Sequence, residues 1–97
     1  MRVMLRARLD TQISNELVMN GRLAEVMQSV LERLKPEAAY FHPTDGGRAC
    51  TLVFDMQESS QLPPIAETFF QEFGAEIEIQ PAMNVEDMQK GIAAVRD

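Results

Sequence analysis

The chain's only tyrosine, histidine and cysteine (Tyr40, His42 and Cys50) fall within eleven residues, and Arg48 lies among them. Those four types together suit chemistry. An imidazole near neutral pH serves as a general base. A phenol orients a substrate and a guanidinium holds an anion. A cysteine becomes a nucleophile when a nearby cation lowers its pKa. One histidine and one cysteine fall short of a usual metal-ligand set, so no metal is expected. The structural alternative is plain. Free cysteine is among the most buried residue types. Tyr40 is then a strand aromatic and His42 a residue beside a loop.

Hairpin register decides between these readings. Tyr40 and His42 are two apart and share one face of a strand; Arg48 and Cys50 share one face of the next. With a five-residue loop over 43–47, His42 stands opposite Arg48, Tyr40 opposite Cys50, and all four share a face. With a turn centred on Asp45-Gly46, His42 stands opposite Ala49 and the pairs part. The Asp-Gly dipeptide favours this second arrangement as a type I′ turn. A slip of one residue exchanges the two outcomes.

A second group is ionic. Arg6 and Arg8 alternate with apolar residues near the start, and Glu76 and Glu78 do so near the end. On neighbouring strands they would form cross-strand ion pairs worth about 0.2–1 kcal/mol each. In a pocket they are candidate ligand-binding residues, the arginines for a carboxylate and the glutamates for moving protons. Cys50 is a further ligand-binding candidate.

The elements that must place these residues follow from periodicity. Residues 2–9 alternate, with Val3, Leu5, Ala7 and Leu9 on one face, and read as a half-buried strand. Residues 10–15 read as a polar turn. Residues 17–34 read as a helix, with Leu23, Val26, Met27, Val30, Leu31 and Leu34 on its apolar face. Ser14 is its candidate cap, Asn20-Gly21 a possible break, and Pro36 its end. Residues 37–42 and 48–56 read as strands; the second is apolar on both faces, which implies cover on both. Ser59 or Ser60 caps a helix with Pro63-Pro64 in its first turn. Its stripe is Ile65, Phe69, Phe70 and Phe73, read as core packing, and Gly74 stops it. Residues 75–80 alternate again. Asn84 then caps a terminal helix with the stripe Val85, Met88, Ile92 and Val95. Whether that helix packs on its own subunit or reaches a partner is open.

The order strand, helix, strand, strand, helix, strand matches the ferredoxin-like βαββαβ pattern, an α+β fold with sheet order 4-1-3-2 and its two main helices on one face. Arg6, Arg8, Glu76 and Glu78 then belong on the opposite face. One row of the third strand lies there too, and a second copy of the same sheet is the economical cover. This pattern resembles the dimeric α/β-barrel superfamily, in which two ferredoxin-like protomers pack sheet against sheet. The segments LVFDM, LPPIAETFF and EIEIQPAMNVEDMQKG resemble more specifically an uncharacterised bacterial group of small proteins of this type. Better-known relatives include cofactor-free oxygenases, isomerases and haem-degrading enzymes that use particular histidine, asparagine and tryptophan positions. This chain has no tryptophan and one histidine, so no catalytic residue carries over.

Ninety-seven residues make one domain, 1–97, with a thin core. The net charge of −6 offers no basic surplus for nucleic acid or an anionic membrane. A lone cysteine forms no internal disulfide. No signal-peptide pattern or membrane-length apolar run is present, so the expected location is cytoplasmic. The expectation is a homodimer joined through its sheet face that binds a small molecule in a pocket against that sheet, with no cofactor. Two alternatives stand beside it. One is a cofactor-free monooxygenase- or isomerase-like enzyme using Tyr40, His42 and Arg48; the other is a non-catalytic structural or regulatory dimer.

Overall fold

Alternation in the first strand sets the architecture. In β1 (Arg2–Arg8), Val3, Leu5 and Ala7 are buried, with Leu9 just beyond. Met4, Arg6 and Arg8 face the other way, because successive strand residues point to opposite faces. The computed structural model of the protein describes residues 1–96.

The chain next forms a helix where a turn was expected. Residues 10–15 are not a turn: α1 (Thr11–Met19) begins there, capped by Asp10, whose carboxylate accepts the Ile13 N–H at 2.9 Å. Aspartate is among the strongest cap residues, because its oxygen satisfies an orphan N–H of the first turn. Ser14 is accordingly no cap. It lies inside α1, fully buried, and donates to the Thr11 carbonyl at 3.2 Å. The break expected at Asn20-Gly21 is present, with Gly21 left-handed at φ 78°, and α2 (Arg22–Leu34) follows. Lys35 ends α2 in the left-handed region just before Pro36.

β2 (Ala38–Thr44) and β3 (Gly47–Asp55) form a hairpin whose two-residue turn is Asp45 (φ 50°) and Gly46 (φ 77°). Positive φ at both central residues is the type I′ geometry that matches strand twist. The five-residue loop over 43–47 is therefore not formed. Pro43, which lacks an N–H, is accommodated because β2 is an edge strand.

A short 3-10 turn, Ser59–Gln61, leads into α3 (Leu62–Phe73). The 3-10 turn is capped by Glu58 in a reciprocal box with Gln61, and α3 starts from Gln61 with no side-chain cap of its own, so neither Ser59 nor Ser60 caps it. Glutamate and glutamine reach the same N–H groups that a serine would have satisfied. β4 (Glu76–Pro81) completes the sheet, and α4 (Val85–Val95) follows, capped by Asn84 in a box with Asp87.

The sheet is antiparallel throughout, in the order β2-β3-β1-β4, the ferredoxin-like arrangement. On its helical face Val3, Leu5, Cys50, Leu52 and Phe54 meet Met27 and Val30 from α2 and Phe69 and Phe73 from α3. Each such apolar side chain contributes about 1.5–3 kcal/mol when removed from water. Phe70, expected in that stripe, is instead 45% exposed, since α3 turns only Ile65, Phe69 and Phe73 inward. Among the described residues, no helix is long and apolar enough to cross a membrane. α4 buries none of its residues, and Val85, Met88, Ile92 and Val95 all stand in solvent.

Candidate functional site

The hairpin register sorts the candidate residues onto two faces. His42 pairs with Ala49 and Tyr40 with Thr51, while Phe41 pairs with Cys50 and Pro43 with Arg48. Directly opposite residues share a face. Cys50 is buried in the helical-side core, so Phe41, Pro43 and Arg48 belong to that side. Tyr40 and His42 belong to the open face with Arg6, which pairs with Thr51. The four-residue cluster of Tyr40, His42, Arg48 and Cys50 therefore does not exist. A catalytic set of Tyr40, His42 and Arg48 is divided by the thickness of the sheet, because the Asp45-Gly46 turn fixes the parity of both strands.

On the open face His42 is held at both nitrogens. Its Nδ1 lies 2.9 Å from the Thr44 hydroxyl and its Nε2 lies 2.8 Å from the Thr51 hydroxyl. A hydroxyl donates or accepts, so this clamp fits any tautomer. It also occupies both positions from which a general base would act. Tyr40 is 69% exposed.

Arg6 pairs with Glu78 and Arg8 with Glu76 in the register, as the strand order requires. The expected ion pairs nonetheless do not close. Among the described residues the ion pairs are those of the N-terminal amine with Asp55 and of Arg2 with Glu37 and Asp87. Exposed cross-strand pairs gain little over hydration, so the side chains go elsewhere. Arg8 packs on Gly47, where a Cβ would stand 3.3 Å from its Nε, and donates to the Asp45 carbonyl at 3.4 Å. Its buried Nε–H has no acceptor. Between these groups lies a polar hollow of about 460 Å³ lined by Arg6, Arg8, His42, Thr44, Glu76 and Glu78, among others.

The larger cavity is on the helical side. A cleft of about 800 Å³ opens between α1, α2 and the hairpin. Leu9, Leu23, Ala24, Met27, Phe41, Pro43, Ala49 and Cys50 give it a mainly apolar wall. Phe41 is 56% exposed there, an unusual position for a phenylalanine facing the helical side. At the rim Arg48 donates through Nη1 to Ser14 Oγ at 2.8 Å and to Asn15 Oδ1 at 2.9 Å. This explains the buried Ser14: its hydroxyl anchors the one cationic side chain of the cleft. Burial pushes the Cys50 thiol up to about 11, a bond from the Ala7 backbone offsetting it only in part. Cys50 is thus a neutral wall residue at pH 7 and not a nucleophile. Sequence reasoning missed Phe41, Ser14 and Asn15 as site residues. The available signal was an aromatic between Tyr40 and His42, which by alternation must face away from both.

Fold and cavity together define a ferredoxin-like α+β domain with an apolar cleft beneath its first two helices. The chain belongs to the family described as "Domain of unknown function (DUF3303)", which matches residues 1–96. No curated protein matches it. Among solved structures it is similar to a formyltetrahydrofolate deformylase from Pseudomonas putida KT2440, at 12% identity and a TM-score of 0.51. That match covers 84% of this chain but 28% of the deformylase, and it is a likeness of fold alone. The de novo designed protein Ferredog-Diesel aligns over 84% of this chain and 85% of its own, at 12% identity and a TM-score of 0.49.

Proposed function

We propose that the protein is a homodimer that binds a small, largely apolar molecule in the cleft between α1, α2 and the β2–β3 hairpin. The observation that carries this reading is the cleft itself. At about 800 Å³, with Phe41 left uncovered over it, it has the size and lining of a small-molecule site. Catalysis is not part of the reading, since the base candidate His42 is on the other face with both nitrogens engaged.

The dimer rests on the open face. A two-fold interface must be self-complementary, because the same patch meets itself. Arg6, Arg8, Glu76 and Glu78 supply both signs without pairing inside the protomer, around the apolar centre of Met4 and Val53. Arg2 lies in this row, and its Nη1 holds Asp87 at 2.7 Å, so α4 starts at the edge of the same face. The apolar stripe of α4 then lies against the second copy.

A neutral solvatochromic dye, Nile red, tests the cleft. Its fluorescence rises on binding to the wild-type protein and does not rise with Ala24→Trp, an exposed position whose new ring fills the cleft mouth. Equal enhancement in both proteins sinks the cleft reading. Light scattering on wild type and Val53→Lys tests the dimer. A folded wild-type monomer at tens of micromolar rules it out.

A further inference from the structure

We infer that the ligand of this cleft carries a carboxylate, seated on Arg48; this rests on the cleft reading above and names its ligand class. The inference starts from counting donors. An arginine has five N–H groups in a fixed planar fork. Arg48 spends two of them, both on Nη1, on Ser14 and Asn15. The Nε–H and both Nη2–H groups have no partner among the described residues, and none is a buried orphan. That leaves the Nε/Nη2 edge open, the edge that takes a carboxylate through two parallel bonds.

Charge points the same way. No acidic side chain lines the cleft, and Arg48 pairs with no carboxylate among the described residues. A chain of net charge −6 has thus kept one cation uncompensated at the mouth of a mainly apolar cleft. Its orientation is set in advance by the two bonds it donates to α1, one of them to a fully buried serine. Such pre-positioning lowers the ordering cost of binding. A carboxylate adds two charge-assisted bonds at that open edge, which a neutral apolar ligand does not make. The ligand is therefore a hydrophobic monocarboxylate, its body against Phe41, Leu23 and Met27 and its head on Arg48.

Paired probes separate the head from the body: 2-naphthoate with 2-naphthamide, and decanoate with decanamide, titrated calorimetrically into the 97-residue chain. In at least one pair the acid binds tenfold or more tightly than its amide. Arg48→Met removes that preference, so that acid and amide bind within twofold of each other. Arg48→Lys, which keeps the charge but loses the fork, retains only part of the preference. Equal binding of acid and amide overturns the carboxylate inference while the cleft reading stands. Binding of neither, with no dye response, overturns both. Should Arg48→Met fail to fold, the Arg48→Lys titration and the acid–amide ratio in the wild type decide alone. A ratio below threefold in both pairs rejects the inference.

Discussion

Phe41 stands opposite Cys50 across the β2–β3 ladder, one residue from His42, which stands opposite Ala49. Adjacent residues of one edge strand thus serve different surfaces. Phe41 roofs an apolar cleft, and His42 sits in a hydroxyl clamp on the polar side. Both placements depend on the two-residue turn at Asp45-Gly46, whose positive φ angles fix the alternation of everything before and after it.

That turn is expected to be sensitive to backbone and not to side-chain space. Nothing lies within 4 Å of a Cβ at Gly46, yet its φ of 77° is left-handed. Gly46→Ala should lower stability by about 1 kcal/mol through conformation alone. Asp45→Asn, which tolerates the same region, should be nearly neutral. Urea denaturation of the two variants checks the contrast.

Gly74 combines a left-handed φ of 56° with a close approach, since a Cβ there would sit 2.6 Å from Ile13 Cδ1. Ile13 is 38% exposed and that atom is the tip of a flexible chain, so the contact can relax, while Asp10 Cβ at 3.3 Å has to give by only a few tenths of an ångström. The cost of Gly74→Ala, about 1 kcal/mol, should therefore be chiefly backbone strain. A double-mutant cycle with Ile13→Ala measures it. A coupling above about 1 kcal/mol would show instead that the helix contact dominates.

Asp10→Ala should destabilise the whole domain by about 1 kcal/mol, because α1 carries Ser14 and Leu17 into the core. Asn84→Ala removes an equivalent box from α4, which buries nothing. It should lower helicity in circular dichroism while leaving the unfolding midpoint of the sheet unchanged under dilute conditions. Equal losses of midpoint would contradict this division.

Cys50 links stability to alkaline pH. Its folded pKa of about 11 exceeds the unfolded value near 9, so above pH 9 the unfolded chain releases a proton that the folded chain keeps. Stability from this group is complete below pH 9 and is lost as pH rises towards 11, on the order of 2 kcal/mol in all. Denaturation curves for wild type and Cys50→Ala between pH 7 and 11 test the sign: the wild type should lose more over that interval.

Replacing both hydroxyls of the clamp, Thr44→Val with Thr51→Val, should cost about 1–2 kcal/mol. It should also free the His42 ring, seen as a change in its nitrogen chemical shifts. An unchanged spectrum would mean that the two bonds at 2.9 and 2.8 Å do not set the ring's state.

Much of the fold could be read from the chain because its strands are half-buried. Val3, Leu5 and Ala7 against Met4, Arg6 and Arg8 leave one arrangement open, and Ile77 and Ile79 against Glu76 and Glu78 repeat it. The start of α1 escaped because a polar residue occupies a core position. Ser14 interrupts the stripe that Ile13, Leu17 and Val18 would otherwise show, and only tertiary packing against Arg48 explains it. Of the cleft, the candidates Arg48 and Cys50 were legible, but its place and its walls were not. It is a gap between α2 and an edge strand, and no periodicity records where two elements fail to touch. The ion pairs failed for a different reason. Register is a backbone property, whereas closing an exposed arginine on a glutamate must offset side-chain entropy.

The bare stripe of α4 carries a thermodynamic consequence. A helix of eleven residues that buries none of its side chains, and is tied to the sheet by the Arg2–Asp87 pair at its first turn, is marginal in water even with a good capping box. Its helical fraction is then a mass-action quantity: whatever covers Val85, Met88, Ile92 and Val95 also supplies the free energy that keeps them helical. If the cover is a second protomer, ellipticity per residue rises with protein concentration, and the last turns of the chain report how much of the protein is assembled.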